Sequence, residues 1–269
     1  MKTFPRRVAS LLVSLCIPLC AHADNTWGTI GPTGGLTHVV VTDPTAPQFV
    51  LAATSGGLYR TLDTNWSPWN STPRVATSLS FNPVSTVFFC GVDGLVSCSF
   101  ATGDYSPLLP ASQLPGLDGR ELRYNSSATN LYVSSESGRL FRYAVPPQAR
   151  TEVTGPWPLT LVAGTLSTIM TDPASPSTIY AAVTGSGIFK SIDSGATWAL
   201  TGTGPASGAF AVHEMAIKPS EPLRVAAAAE DGIYMSDDGG ATWVRTHTTA
   251  TYSIAFHPAV ANTLVAVTA

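Results

Sequence analysis

Hydrolysis of a glycosidic bond requires two carboxyl groups facing one another across the substrate, and this 269-residue chain holds 17 Asp and Glu. Two of them, Asp193 and Asp238, stand in the same eight-residue setting. Ser191–Trp198 reads SIDSGATW, and 45 residues later Ser236–Trp243 reads SDDGGATW. Their neighbours assign both acids to a turn. A tight turn between strands needs a side chain that accepts backbone N–H groups, which Asp193 and Asp238 supply. It also needs a residue that tolerates positive φ, supplied by Gly195 and Gly240. Ser191, Ser236, Thr197 and Thr242 add local hydrogen bonds, while Trp198 and Trp243 bring large apolar area to lock an outer edge. A degraded copy, TLDTNWSPW, puts Asp63 in the same role. Asp43 and Asp172 each precede proline and read as turn anchors.

Other chemistries find less support. The five histidines form no i,i+4 pair and have no C-x-x-C partner, so no built-in metal site is expected. No G-x-S-x-G, P-loop or dinucleotide fingerprint occurs, so no cofactor is expected and no catalytic residue is assigned. The glycine-rich stretch 116–120 precedes a strand and opens no helix, which argues against phosphate cradling.

The elements that carry these residues come from a repeat. TDPASPSTIYAAVTGSGIFKSIDSGATW (171–198) lies over IKPSEPLRVAAAAEDGIYMSDDGGATW (217–243), and the frame recurs at 42–69. Weaker copies begin at 81 and 124, and a partial one occupies 256–269. Turn anchors fall at Asp43, Asn82, Asn125, Asp172, Lys218 and His257. Steps of roughly 37–48 residues match a four-stranded propeller blade. Each copy reads as an alternating strand, a turn, a short apolar run, a Gly-rich turn and a third strand. The fold expected is all-β: a β-propeller of about six blades, the last one incomplete or closed by the N-terminal strand.

The phrase S-x-D-x-G-x-T-W resembles the Asp-box, or bacterial neuraminidase repeat, and GIFKSIDSGATW is similar to its consensus. Such repeats occur in sialidases, xyloglucanases, sortilin-like receptors and photosystem II assembly factor-like proteins. The resemblance covers nearly all of residues 24–269. It implies a propeller with Asp-boxes at its periphery, far from the axial site used by the family's enzymes. Enzymes and pure binders share the repeat, so it fixes no function. The first sialidase arginine usually stands in an F/Y-R-I-P-like stretch, which is absent. YRTL (Tyr59–Leu62) comes nearest, on a third strand.

One column in the repeat frame is polar. At the start of the inner strand stand His38, Thr77, Arg120, Ser167, His213 and Tyr252, followed by Val39, Ser78, Glu121, Thr168, Glu214 and Ser253. The next column, Val40, Leu79, Leu122, Ile169, Met215 and Ile254, is apolar and reads as core between blades. The polar columns ring the mouth of a propeller channel, either as ordinary solvated residues or as a ligand site. In the second case His38, Arg120, Glu121, His213, Glu214 and Tyr252 are its most capable members. Stretches 101–119 and 144–164 read as long connections on the same face. Trp157, between two prolines, is either an exposed platform for a sugar ring or peptide, or a buried plug.

Composition excludes further classes. A net charge of −3 supplies no basic field for nucleic acid. Lys2, Arg6 and Arg7, an apolar run and the AHA site at Ala21–Ala23 lay out a secretory signal over residues 1–23. The expectation is a secreted or periplasmic domain, 24–269, with no membrane insertion after cleavage. Two cysteines remain, Cys90 and Cys98. The frame places the hairpin turn at 92–93, with Cys90 opposite Leu95 and Cys98 near Val87, an offset too wide for a disulfide.

The function these features favour is an exported, non-enzymatic binding or assembly module for a protein or glycan. The alternative is a sialidase-like or other glycoside hydrolase acting on extracellular glycans. The sixth repeat stops after its second strand. NTWGTIG (Asn25–Gly31) resembles the segment after an Asp-box, so it is expected to complete that blade, which still lacks a third strand and reads as part of a longer chain. Deleting residues 24–31 should therefore lower the melting temperature sharply, and wild-type melting in the deletion variant refutes this closure.

Overall fold

Turn residues divide this chain into short apolar runs, and each run has become a strand. The computed structural model describes residues 37–42, 50–62, 65–69, 76–82, 86–91, 94–99, 105–109, 121–135, 138–144, 150–157, 166–202, 211–257, 260 and 262–269, apart from 63–64, 136–137, 258–259 and 261. The signal segment, Asn25–Gly31, Asp43, Asp63 and Arg120 lie outside these residues.

The described strands fall into two compact units, residues 1–118 and 119–269. The first unit holds two antiparallel four-stranded meanders. One comprises β1 (Thr37–Thr42), β2 (Val50–Thr54), β3 (Gly57–Leu62) and β4 (Asn65–Pro68). The other comprises β5 (Ala76–Asn82), β6 (Thr86–Gly91), β7 (Gly94–Ser99) and β8 (Tyr105–Leu109).

The second unit holds three such meanders. They are β9 (Glu121–Tyr124), β10 (Asn130–Ser134), β11 (Leu140–Ala144) and β12 (Arg150–Glu152); then β13 (Leu166–Thr171), β14 (Ile179–Val183), β15 (Gly187–Ser191) and β16 (Ala199–Leu200); then β17 (Val212–Lys218), β18 (Glu221–Ala229), β19 (Gly232–Ser236) and β20 (Val244–His247). A two-stranded sheet, β21 (Thr251–Phe256) with β22 (Leu264–Thr268), follows. Within this unit the first strands stand beside one another in chain order, β9 by β13, β13 by β17 and β17 by β21. The architecture is all-β and propeller-like.

The apolar column is core, as its pattern requires. Val40, Leu79, Leu122, Ile169, Met215 and Ile254 are all buried. Between sheets, Met170, Tyr180 and Ile188 of one pack with Met215, Val225 and Ala227 of the next. The second strand β14 is buried along its whole length, so it reads Ile-Tyr-Ala-Ala-Val without alternation.

Two expectations need correction. The stretches 101–119 and 144–164 are not loops throughout, because they contain the fourth strands β8 and β12. Both are edge strands, which tolerate the Pro107 and the charged Arg150 and Glu152 that hid them. The first repeat also departs from the box pattern. Leu62 pairs with Asn65, so only positions 63 and 64 link β3 to β4, whereas residues 192–198 link Ser191 to Ala199. The anchor side chain at Asn125 is engaged within its own turn and across to the next sheet. Asn125 is buried, and its Nδ2 donates to Ser127 Oγ, Thr129 Oγ1 and Pro176 O at 3.0–3.1 Å.

The cysteine register matches its expectation. Cys90 pairs with Leu95, Cys98 pairs with Val87, and Gly91 pairs with Gly94 across the turn. With three residues of offset along the hairpin, the two Cα atoms exceed the ~7 Å disulfide limit. Alkylation without reductant followed by mass spectrometry should label both thiols, and an intact Cys90–Cys98 bridge in that experiment refutes the register.

Candidate functional site

The two ends of each sheet in residues 119–269 have different chemistry, and register assigns them. In the sheet of β13–β16, Leu166 pairs with Val183 and Val183 with Gly187 at one end. Thr171 pairs with Ile179 and Ile179 with Ser191 at the other. The polar column begins the first end, and the box leaves from the second. They are therefore opposite ends of the sheet.

At the box end the side chains are committed to turns. Ser191 Oγ donates to Asp193 Oδ1 at 2.8 Å and accepts the Gly195 N–H at 2.8 Å. Asp193 accepts the Thr197 N–H on Oδ1 at 2.8 Å and the Thr197 hydroxyl on Oδ2 at 2.6 Å. Ser236, Asp238, Gly240 and Thr242 repeat this set at 2.8, 2.8, 2.8 and 2.5 Å. Gly195 and Gly240 have φ of 88° and 92°, and each follows another left-handed residue, Ser194 at 61° or Gly239 at 69°. Hydrogen bonds from the Thr197 and Thr242 hydroxyls, then from their N–H groups, then from the serines, hold both Asp carboxyls at about 2.

The boxes also reach across the seam between sheets. Trp198 Nε1 donates to Val153 O at 2.8 Å, and Trp243 Nε1 donates to Thr201 Oγ1 at 3.3 Å. The carbonyl of Gly239 accepts both Tyr180 Oη at 3.0 Å and Lys190 Nζ at 2.9 Å from the preceding sheet. The equivalent carbonyl, Ser194 O, accepts Arg142 Nη1 at 3.0 Å, with Tyr132 at the repeat position of Tyr180. A tyrosine on the second strand with a cation on the third, in the repeat just before a box, is the sequence signal for this grip.

At the opposite end the structure adds a feature that periodicity alone does not reveal. The register slips by one residue in β1, β5, β13, β17 and β21, and the extra residue is His38, Thr77, Ser167, His213 and Tyr252 in turn. Five members of the polar column are thus β-bulge residues, a device that re-aims side chains at strand ends.

The second polar column is largely spoken for. Glu121 Oε2 accepts the Ile169 N–H of the next sheet at 2.6 Å, its Oε1 accepts Thr168 Oγ1 at 3.3 Å, and Arg123 pairs with it at 2.5 Å. Glu214 repeats the clamp one doublet later, with Oε2 accepting the Ser253 hydroxyl and, at 3.1 Å, the Ile254 N–H. Burial pushes both carboxyls above the ordinary value, and for Glu121 the Arg123 charge and the Ile169 N–H oppose that rise. Beside Glu214, the rings of His213 and Tyr252 lie 5.2 Å apart at 37°, and Tyr252 is 42% exposed.

Of the residues expected at the mouth, the structure brings the rings of His213 and Tyr252 together and ties Glu214 to Ser253, the neighbour of Tyr252, while Glu121 clamps Thr168 and Ile169. Trp157 does not belong with them. It is buried, its Nε1 donates to Gly138 O at 2.9 Å, and it packs on Phe189 and Trp198. Of its two readings, the plug is correct, and Gly155 is required because a Cβ there would collide with the indole. His38 lies in the other unit.

No protein-family model matches the chain, and no curated protein matches it in sequence. Solved structures do. An ancestral GH74 enzyme aligns with TM-score 0.67 and 15% identity over 88% of this chain and 35% of its own. The extracellular domain of a one-component system from B. thetaiotaomicron gives 0.57 and 11% over 83% and 36%. YCF48 from Cyanidioschyzon merolae gives 0.57 and 13% over 84% and 91%. The chain spans about a third of the first two and nearly all of the third.

The box carboxyls are ionised more readily in the folded chain than in the unfolded one, where the value is 3.8. Their contribution to stability is therefore complete above that pH and is lost as pH falls towards 2. Asp193→Ala and Asp238→Ala should each lower the melting temperature at pH 7 by a few degrees and flatten this acid-side loss. Loss of a binding activity by Asp193→Ala with an unchanged melting curve contradicts the structural assignment. At these identities the likeness to solved structures establishes the fold alone, and that fold is the β-propeller.

Proposed function

We propose that this protein is an exported, non-enzymatic binding or assembly module, and that its ligand, a protein or glycan, meets the sheet ends where the inner strands begin. The observation that carries this reading is the fate of the five described acids that stand in the boxes, the anchors and the polar column. A glycosidase needs two acids free to face a substrate. Here Asp193 and Asp238 close turns, Asp172 accepts the Ala174 and Ser175 N–H groups, and Glu121 and Glu214 clamp the neighbouring strand. The exposed Tyr252 on His213 is left as contact surface.

The match over 91% of YCF48 supports a single propeller as the unit, and the six repeats support six blades. The layout of residues 1–23 supports export. A glycoside hydrolase is the second reading, favoured by the GH74 neighbour, of which this chain covers 35%. A panel of fluorogenic glycosides, sialosides included, should show no turnover by the wild type. Immobilised glycan and peptide arrays should give binding that His213→Ala/Tyr252→Ala abolishes. Turnover lost in Glu121→Gln or Glu214→Gln at unchanged melting temperature makes the protein an enzyme.

A further inference from the structure

One second strand in residues 119–269 differs from its counterparts in what lies beside it. β10, β14 and β18 are each bonded on both sides, to a first strand and to a third. Among the described residues, β22 is bonded to β21 alone. Burial follows the pairing. All five residues of β14 are buried, whereas Leu264, Val265, Ala266 and Val267 are half-buried and Thr268 is exposed. The ladder fixes which backbone groups face the open side. His257 N–H donates to Thr263 O and Ala269 N–H to Ala250 O, so alternate positions from 263 to 269 bond towards β21. The N–H and C=O groups of Leu264, Ala266 and Thr268 point the other way, a row with which a further strand can pair. The outer strands of the other sheets carry guards against such pairing. β4 has Pro68, β8 has Pro107, β12 and β20 have charged residues, and β16 is two residues long. β22 reads Leu-Val-Ala-Val-Thr, with neither charge nor proline.

The repeat tells what this side accepts. Asp172 N–H donates to Thr178 O as His257 N–H does to Thr263 O, which aligns Leu264 with Ile179 and Ala266 with Ala181. Phe189 of the third strand stands opposite Ala181, Tyr234 opposite Ala227 and Phe141 opposite Val133. In the first unit Tyr59 stands opposite Ala52, and only β7 has an aliphatic residue, Val96, at this place. A short side chain on the second strand thus faces a ring on the third, and Ala266 keeps that pattern. Leu264 and Ala266 lie with Ile233 and Met235 of the preceding sheet, so a ring opposite Ala266 would meet apolar surface. A second copy pairing through its own β22 would bring its own β19 to the same face and collide there. A single extended strand meets no such obstacle.

We infer that the open side of β22 binds an extended segment of a protein partner by strand addition, antiparallel to β22 and with an aromatic side chain opposite Ala266. The segment has the chemistry of this chain's own third strands, an aliphatic residue, then an aromatic one, then a polar one. The site is the side of a sheet, apart from the mouth-end surface, and stands whether or not that surface binds a ligand. Fluorescence anisotropy of the full chain would use a labelled TGSGIFKSI peptide, the sequence of residues 184–192. It should bind with a Kd below about 1 mM, and replacing its Phe by Ala should weaken it about tenfold or more. Methylating the Phe N–H, which faces β22 in this register, should abolish binding. Methylating the Lys N–H, which faces away, should leave binding unchanged. Ala266→Pro removes an outward N–H and spares the bonds to β21, so it should also weaken binding about tenfold or more. Should that variant fail to fold, the two methylated peptides still decide. Hydrogen exchange at Leu264, Ala266 and Thr268 should slow when the peptide binds. Equal affinity of the two methylated peptides, protection elsewhere than β22, or no binding at about 1 mM peptide overturns strand addition. Binding only after deletion of residues 24–31 makes Asn25–Gly31 the occupant and overturns the partner assignment. A dimer that Ala266→Pro dissociates makes a second copy the occupant, with the same consequence.

Discussion

A side chain of one sheet bonded to the backbone of the next is the interaction on which the arrangement of residues 119–269 rests. Apolar faces bring neighbouring sheets together, but burial is non-directional and two flat faces of Val, Ala and Ile can slide. Direction comes from Glu121 on the Ile169 N–H, Glu214 on the Ile254 N–H, Thr171 Oγ1 on Tyr124 O at 2.7 Å, and Tyr180 with Lys190 on Gly239 O. Each holds a backbone group at one height along the strand. The box explains itself in these terms. Two successive left-handed residues leave the carbonyl of Ser194 or Gly239 available to the preceding sheet, and the Ser–Asp–Thr bonds keep that costly turn from relaxing.

What local chemistry determines was legible. The apolar column, the box hydrogen bonds and the Cys90–Leu95 register depend on a period of two and on turn residues, all visible within one repeat. The anchor column was legible as position but not as chemistry. Asp172 accepts two N–H groups, Asn125 accepts the Thr129 and Asn130 N–H groups, Lys218 pairs with Glu221, and His257 Nδ1 accepts the Val260 N–H. Four different side chains close the same turn, which is why no consensus residue marks it.

Edge strands and long-range clamps were not legible. β8 and β12 carry proline or charge because one side of each faces no partner strand, so their patterns lack the apolar signal of inner strands. The clamps are hidden for a different reason. Glu121 and Glu214 read in sequence as capable members of a ligand site, since their partners are backbone N–H groups 48 and 40 residues away. A trace remained in the column itself, where each Glu is followed one repeat later by a hydroxyl, Thr168 or Ser253.

The bulges separate what the fold demands from what it leaves open. In the second polar column, identity is constrained by the seam, because a clamp residue must match the hydroxyl and N–H opposite. In the third, it is constrained by core volume. The bulge position is the residue that the ladder skips. It holds His, Thr, Ser, His and Tyr in five strands of otherwise similar pattern. His213 and Tyr252 occupy it one residue before Glu214 and Ser253, the two ends of a clamp.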